Sequence, residues 1–136
     1  MNAELEQEIL AAHPDLYRNL KSRFPDQQHF ECGDGWGKIL KELSTRLDPY
    51  AATDDLVIIQ VKEKLGSLRV YVRFEGHDWS EKEEVVEVVR RWRNVAEEQS
   101  CYTCEVCGAA GRVRKSVGGG VRAFCEACAV AHRRNE

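Results

Sequence analysis

Residues 104–108 read CEVCG and residues 125–128 read CEAC, which gives two cysteine pairs with two residues inside each pair and 17 residues between the pairs. This spacing is typical of a tetrahedral zinc site with four cysteine ligands. Each pair directs two thiolates at one metal ion from a tight turn, and Gly108 gives the first turn its backbone freedom. The sequence therefore predicts one structural Zn²⁺ ion, and its predicted ligands are Cys104, Cys107, Cys125 and Cys128.

Two other residues compete for a place in this site. Cys101 and Cys104 also have two residues between them, but the glycine after Cys107 favours the later pair. His132 follows the second pair and is an alternative ligand in place of one cysteine. Cys32 is isolated in the sequence. The four paired cysteines have the spacing of a metal site, which favours reduced thiols over a disulfide framework.

The segment around the two pairs has the order of a small zinc-binding module. Strands are predicted near residues 112–117 and 121–124, joined by the glycines at 118–120, and the second pair then runs into a short helix. A cysteine knuckle, a hairpin and a helix in this order resemble a treble-clef zinc finger. A zinc ribbon, in which the second pair lies in another knuckle, is the close alternative.

The rest of the chain predicts an α+β body. The chain has 136 residues, 43% of them hydrophobic and 32% charged, which is typical of one globular domain. Apolar periodicity predicts one or two helices over about residues 2–24, with a break at His13–Pro14, and further helices over 35–48 and 81–99. Alternation predicts a β-hairpin over residues 55–75. We therefore expect helices packed on a small antiparallel sheet in residues 1–100, with the zinc-binding module of residues 101–136 packed on that body.

The predicted hairpin has one apolar face and one basic face. Gly66 is expected to take the positive φ angle of its turn. Basic side chains beside an aromatic ring can contact a phosphate backbone or an acidic protein, although the solvent side of any half-buried hairpin has a similar composition. The apolar face is assigned to Val57, Ile59, Val61, Leu68, Val70, Val72 and Phe74, and the candidate binding face to Lys62, Lys64, Arg69, Tyr71 and Arg73.

A glycine-rich turn precedes the second predicted helix, and a capping box of polar residues begins the third. Residues 33–36 read GDGW, and Asp34 is the predicted N-cap of the helix that follows. The turn is expected to seat Trp36 and to hold Cys32 in or near the core, while a partner-binding surface built on Asp34 and Trp36 is the functional alternative. Ser80 and Glu83 form a predicted capping box for the third helix.

Charge is unevenly distributed along the chain. The net charge is −3, yet residues 1–99 carry 14 Lys and Arg against 20 Asp and Glu, whereas residues 100–136 carry 6 against 3. This asymmetry permits an anionic partner at the C-terminal end. We call the predicted hairpin of residues 112–124 the zinc hairpin. Its candidate binding residues are Arg112, Arg114, Lys115 and Arg122.

Three motifs together carry a family resemblance. CGDGW at 32–36, QVKEKLGSLRVY at 60–71 and the two C-terminal cysteine pairs resemble a family of small uncharacterised phage and bacterial proteins, over roughly residues 30–128. The resemblance implies a phage or bacterial setting and this order of motifs. It implies no catalytic residue, because that family has no established activity.

The function expected from these patterns is binding and not catalysis. Four protein ligands leave zinc no open position for water or substrate, and no His-x-Glu of the zinc-deaminase type precedes the pairs. We expect a regulator, adaptor or inhibitor with a protein partner, for example a phage inhibitor of a host factor. A nucleic-acid-binding zinc finger, which would use the two basic surfaces, is the alternative. An acidic N-terminus without a secretory signal predicts a cytoplasmic location, and no apolar run is long enough for the membrane.

Overall fold

The computed structural model describes residues 1–20, 29–76 and 82–134 and shows an α+β fold. A 3₁₀ turn at Asp34–Trp36 leads into the second helix. Among the described residues, no helix is long and apolar enough to cross a membrane. The helices are α1 (Ala3–Ala12), α2 (Gly37–Thr53), α3 (Glu83–Cys101) and α4 (Glu126–Arg134), and the strands are β1 (Phe30–Glu31), β2 (Leu56–Lys64), β3 (Ser67–Phe74), β4 (Arg112–Lys115) and β5 (Val121–Phe124).

The larger sheet has the strand order β1-β2-β3. β2 and β3 form the predicted antiparallel hairpin, whereas β1 runs parallel to β2 with Phe30 opposite Val61. The sheet is therefore mixed: the predicted antiparallel hairpin is present, and a short parallel strand that was not predicted lies beside it. A strand of two residues is too short for side-chain alternation to reveal it in the sequence.

The hairpin turn consists of two residues, Leu65 and Gly66. Their φ angles are 53° and 80°, which agrees with the turn type that matches the twist of an antiparallel pair. The prediction of a positive φ angle at Gly66 is confirmed. A methyl group at this glycine would lie 3.0 Å from Val113 on β4, so the turn lies directly against the smaller hairpin.

A β-bulge changes the predicted register of the hairpin. The bulge lies between Ile58 and Gln60, and Leu56 and Ile58 pair with Phe74 and Val72. An extra residue in one strand shifts every following side chain to the other face. The predicted pairing through Val57 and Ile59 was therefore wrong, while Val61 does pair with Val70.

The main core lies between the large sheet and the helices α2 and α3. α2 contributes Ile39, Leu40, Leu43 and Leu47, and α3 contributes Val89 and Ala96. Burial of Cys32 in the same core raises the pKa of its thiol to about 12. The predicted helical face after the GDGW turn and the placement of Cys32 are thus confirmed.

Several predicted helix boundaries differ from the structure. α1 ends at Ala12, which confirms the predicted break at His13–Pro14. Residues 14–19 form turns where a second helix was predicted, and residues 21–28 lie outside the described chain. α2 continues through Pro49 to Thr53, because Ala51 in its last turn is buried against the core. Lys82 lies at the N-cap of α3, and Ser80 of the predicted capping box lies outside the described residues.

Asp34 has a different role from the predicted N-cap. Its carboxylate accepts hydrogen bonds from the backbone N–H of Asn2 at 2.6 Å and from the Asn2 side chain at 2.9 Å. No side chain caps α2, whose N-cap residue is Trp36. The carboxylate is used to join the start of α1 to the GDGW turn, and the N-cap prediction was wrong.

Candidate metal centre and its contact with the body

The four predicted cysteines come together at one point of the structure. Cys104 and Cys107 lie in the turn that follows α3, Cys125 immediately precedes α4, and Cys128 lies in its first turn. All four Sγ atoms lie within 4.8 Å of one another, and the Sγ atoms of Cys107 and Cys125 are 3.7 Å apart. A tetrahedron with Zn–S bonds of about 2.3 Å has edges of about 3.8 Å. The geometry therefore fits a single tetrahedral metal ion.

Backbone hydrogen bonds shape the first cysteine turn. The N–H of Gly108 donates to the carbonyl oxygen of Cys104 at 2.9 Å, and the N–H of Cys104 donates to Ala109 at 2.8 Å. Gly108 has a φ angle of 82°, a conformation that strongly favours glycine. This confirms the expected role of the glycine after Cys107.

The thiols differ in how readily they ionise. Burial raises the pKa of Cys104, but hydrogen bonds from the backbone of Cys125, Cys107 and Val106 outweigh burial and lower it to about 7. Contact with the neighbouring Cys125 sulfur and burial raise the pKa of Cys128 to about 12. Because the sulfurs are so close, all four become thiolates together only when a cation balances their charge.

The two competing ligands lie apart from this cluster. Cys101 donates from Sγ to the carbonyl oxygen of Glu97 at 3.5 Å within α3. His132 contacts the hydroxyl of Ser116 at 3.0 Å and packs beside the ring of Phe124. The group of described residues able to hold a metal ion consists of the four cysteines without either of these.

The order of elements agrees with a treble clef. The first pair lies in a knuckle, β4 and β5 form an antiparallel hairpin, and the second pair lies at the start of α4. In a zinc ribbon the second pair would lie in another knuckle, so the helix at Cys125–Cys128 distinguishes the two arrangements.

The GDGW turn binds the cysteine knuckle, and this contact was not predicted. We call residues 33–36 the docking turn and residues 103–108 the knuckle. The N–H of Gly35 donates to the carbonyl oxygen of Glu105 at 2.7 Å, and the Trp36 ring nitrogen donates to the carbonyl oxygen of Thr103 at 3.0 Å. Trp36 is fully buried. The turn is thus a structural contact between the body and the metal cluster.

The two glycines of the docking turn are needed because the knuckle backbone lies against them. A methyl group at Gly35 would overlap the carbonyl oxygen of Cys104 and lie 2.6 Å from the carbonyl carbon of Glu105. A methyl group at Gly33 would overlap the carbonyl oxygen of Glu105. Contacts this short do not occur in relaxed structures, so only glycine fits without a shift of the knuckle.

Glu105 is a buried acid at this contact that sequence reasoning missed. Its Oε2 accepts from the N–H of Gly33 at 2.9 Å, and its Oε1 lies 3.5 Å from a terminal nitrogen of Arg122. Burial raises the pKa of this carboxyl group, while the Gly33 N–H and Arg122 act in the opposite direction. The residues next to Glu105 in the sequence do not identify it as a buried acid, because its partners, Gly33 and Arg122, lie 72 and 17 positions away.

Replacing Glu105 with alanine is expected to lower the free energy of unfolding by about 1–3 kcal/mol, because the Gly33 N–H loses a buried acceptor. The zinc content should stay unchanged, since the carboxylate is outside the cysteine cluster. Urea unfolding and metal analysis measure the two quantities. Glu98→Ala, at an exposed acid on α3, is the control and should stay within about 0.5 kcal/mol of the parent chain. Equal losses in both variants would contradict a special role for Glu105.

The basic face of the large hairpin is partly neutralised within the protein. Arg69 forms an ion pair with Glu97 at 3.1 Å, and Arg73 forms one with Glu75 at 2.7 Å. The ammonium group of Lys62 lies 5.3 Å from the centre of the Tyr71 ring. Lys64, at the end of β2, is exposed. Most of the predicted binding residues on this face therefore already have partners.

The basic residues of the zinc hairpin divide into two groups. Arg122 faces the buried Glu105, whereas Arg112 and Lys115 are exposed. Arg114 is half-buried and donates from Nε to the carbonyl oxygen of Phe124 at 3.1 Å. Arg112, Arg114 and Lys115 line a cavity of about 160 Å³ between the hairpin and α4, together with Arg133 of that helix.

The two candidate residues of the GDGW turn also differ in position. Asp34 is exposed, but its carboxylate already accepts two hydrogen bonds from Asn2. Trp36 has no exposed surface, because the core and the knuckle cover it. Its predicted place on a partner-binding surface is therefore corrected to a buried structural position.

Comparison with known proteins adds no relative. No family model, no curated protein and no solved structure matches this chain. The phage or bacterial setting implied by the sequence motifs stays a prediction.

Proposed function

We propose that this protein is a non-enzymatic, zinc-stabilised binding protein whose C-terminal module holds an acidic segment of a protein partner. The observation that carries the proposal is the cavity lined by Arg112, Arg114, Lys115 and Arg133, which we call the cationic cavity. Among the described residues that line it, none is acidic. In this role the protein acts as a regulator, adaptor or inhibitor of its partner.

Zinc is the metal that best suits the cysteine cluster. Soft thiolate ligands in a tetrahedral arrangement select zinc over magnesium, calcium and manganese, which prefer oxygen ligands. Four protein thiolates complete the coordination of zinc and leave no position for a substrate. We infer that the ion fixes the knuckle, the hairpin and α4 relative to one another and has no catalytic role.

Of the two predicted basic surfaces in the described chain, the cationic cavity has more charge left for a partner. Arg112, Lys115 and Arg133 form no ion pair within the described part of the chain, in contrast to Arg69, Arg73 and Arg122. Opposite charge steers a partner to such a patch and fixes its orientation. An acidic protein segment is therefore the complementary ligand.

A protein partner suits this patch better than a nucleic acid. Binding to the phosphate backbone of DNA depends on many contacts from Lys and Arg, whereas the cationic cavity offers four basic side chains on a chain with a net charge of −3. Single strands are held by stacking on exposed aromatic rings, and the aromatic ring at this cavity, Phe124, is buried. Four thiolates that bind zinc must stay reduced, which suits a reducing compartment such as the cytoplasm.

The proposal is tested by changing the charge of the cavity rim. Immobilised, zinc-loaded protein is incubated with bacterial lysate and, separately, with a synthetic acidic peptide and a DNA duplex of equal charge. We expect a stoichiometric protein and the peptide to bind, with at least tenfold weaker binding for Arg112→Glu with Lys115→Glu. The matched control is Lys38→Glu with Lys64→Glu, at two exposed lysines outside the cavity, and it should bind normally. Recovery of nucleic acid alone, or equal loss in the control, would overturn the proposal.

A further inference from the structure

The cationic cavity is too small for a whole small molecule. Its volume is about 160 Å³, compared with about 300–1,000 Å³ for pockets that hold small-molecule ligands. A water molecule occupies about 30 Å³ of liquid, so the space suits one compact polar group and a few waters. The volume of the cavity therefore fits a single functional group of a larger partner.

The donors around the cavity come from both sides. β4 contributes Arg112 and Lys115, and α4 contributes Arg133. At the base, Arg114 is anchored through Nε to Phe124, which leaves its two terminal nitrogens as donors. Ser116 adds a hydroxyl group that contacts His132 at 3.0 Å. Four basic residues and a serine thus line one small volume, and no carboxylate lies among the described lining residues.

We propose that this cavity binds the phosphate group of a phosphorylated side chain in the acidic partner, an inference that rests on the proposed function and names the group recognised. A carboxylate carries one charge and two oxygens, and one or two basic side chains satisfy it. A phosphate monoester carries nearly two charges and three strong acceptor oxygens, and clusters of arginine are the usual means of binding it. Four basic side chains exceed what a carboxylate needs and match a phosphate.

Inorganic phosphate is the first probe. The zinc-loaded full chain is titrated with phosphate at constant ionic strength while amide resonances are followed by NMR. We expect saturable shifts confined to β4, its turn and α4, and at least tenfold weaker binding for Arg112→Gln with Arg133→Gln. Both residues are exposed, so these changes should leave the fold and the zinc content intact; Arg114 is left unchanged because it holds the hairpin.

The matched control again removes two positive charges elsewhere. Lys38→Gln with Lys64→Gln should bind phosphate like the parent chain. Shifts that do not saturate, or equal weakening in the control, would overturn the phosphate site. Loss of acidic-peptide binding is a separate outcome, because it would remove the proposed function even if phosphate still bound.

Peptides identify the source of the phosphate. A peptide with one phosphoserine should bind at least tenfold more tightly than the same peptide with glutamate, and the difference should vanish in Arg112→Gln with Arg133→Gln. Equal binding of the two peptides would overturn the phosphate inference and leave acidic-partner binding in place. Tighter binding of a DNA duplex than of the phosphopeptide, lost in the same variant, would assign the cavity to nucleic acid and overturn the inference.

Discussion

Replacing Cys104 with serine is expected to lower the zinc content from one ion per chain to near zero and to unfold the C-terminal module. Cys104 is fully buried in the cysteine cluster, and serine at neutral pH offers a neutral hydroxyl in place of a thiolate. Structural zinc contributes on the order of 10 kcal/mol to the folding of such sites. Metal analysis and circular dichroism measure the two effects, and the free energy of unfolding should fall by several kcal/mol.

Two further variants separate ligand loss from general damage. Cys101→Ser changes a cysteine in the same segment that lies outside the cluster and bonds to Glu97, so it should retain zinc. Cys125→Ser with Cys128→Ser removes the second pair and should abolish zinc binding. Full zinc content in that double variant would refute the assignment of the four ligands.

Replacing Gly35 with alanine is expected to lower the free energy of unfolding by about 2–4 kcal/mol through overpacking at a rigid contact. The added methyl group would overlap the carbonyl oxygen of Cys104, which also accepts the N–H of Gly108. Neither backbone can move freely, because the four-cysteine cluster holds one and the core around Trp36 holds the other. The knuckle should therefore separate from the docking turn.

The separation has its own signal. The indole N–H of Trp36 donates to Thr103, and its NMR resonance should shift when the knuckle leaves. Gly120→Ala is the matched control, since a methyl group there meets no atom within 4 Å, and it should be nearly neutral. If Gly35→Ala were as stable as Gly120→Ala, with an unmoved indole signal, the docking contact would have no energetic importance.

Local features of the fold were predictable because local chemistry determines them. The cysteine spacing identified the four residues that come together, and Gly66 identified the hairpin turn. The apolar positions of α2 and α3 identified the faces that cover the sheet. Each of these signals depends on residues a few positions apart, which is the range that periodicity and turn chemistry describe.

Features that depend on distant residues were missed. β1 exists because Phe30 pairs with Val61, and the bulge near Ile58 shifts a register that alternation alone predicts as regular. Asp34 has a side chain suited to an N-cap, yet a tertiary hydrogen bond to Asn2 takes its carboxylate. The glycines at 33 and 35 mark a close approach of two backbones, but their sequence does not identify the second backbone.

The candidate site was only partly predictable for the same reason. The basic residues were identified from composition, but only the structure separates Arg69 and Arg73, which are paired with acids, from Arg112 and Lys115 at the cationic cavity. Charge pairing depends on positions across several elements, and a linear sequence does not give those positions. Glu105 was missed because its partners are contributed by the docking turn and β5.

The contact between the docking turn and the knuckle also sets an order of events during synthesis. Gly33 and its partner Glu105 are 72 positions apart. At about 5–20 residues per second, the ribosome needs roughly 4–14 s to make the intervening chain. Through that interval the indole of Trp36 is without Thr103, and the second cysteine pair is made later still. The contact surface of the body therefore stays uncovered until the residues of the knuckle have been made.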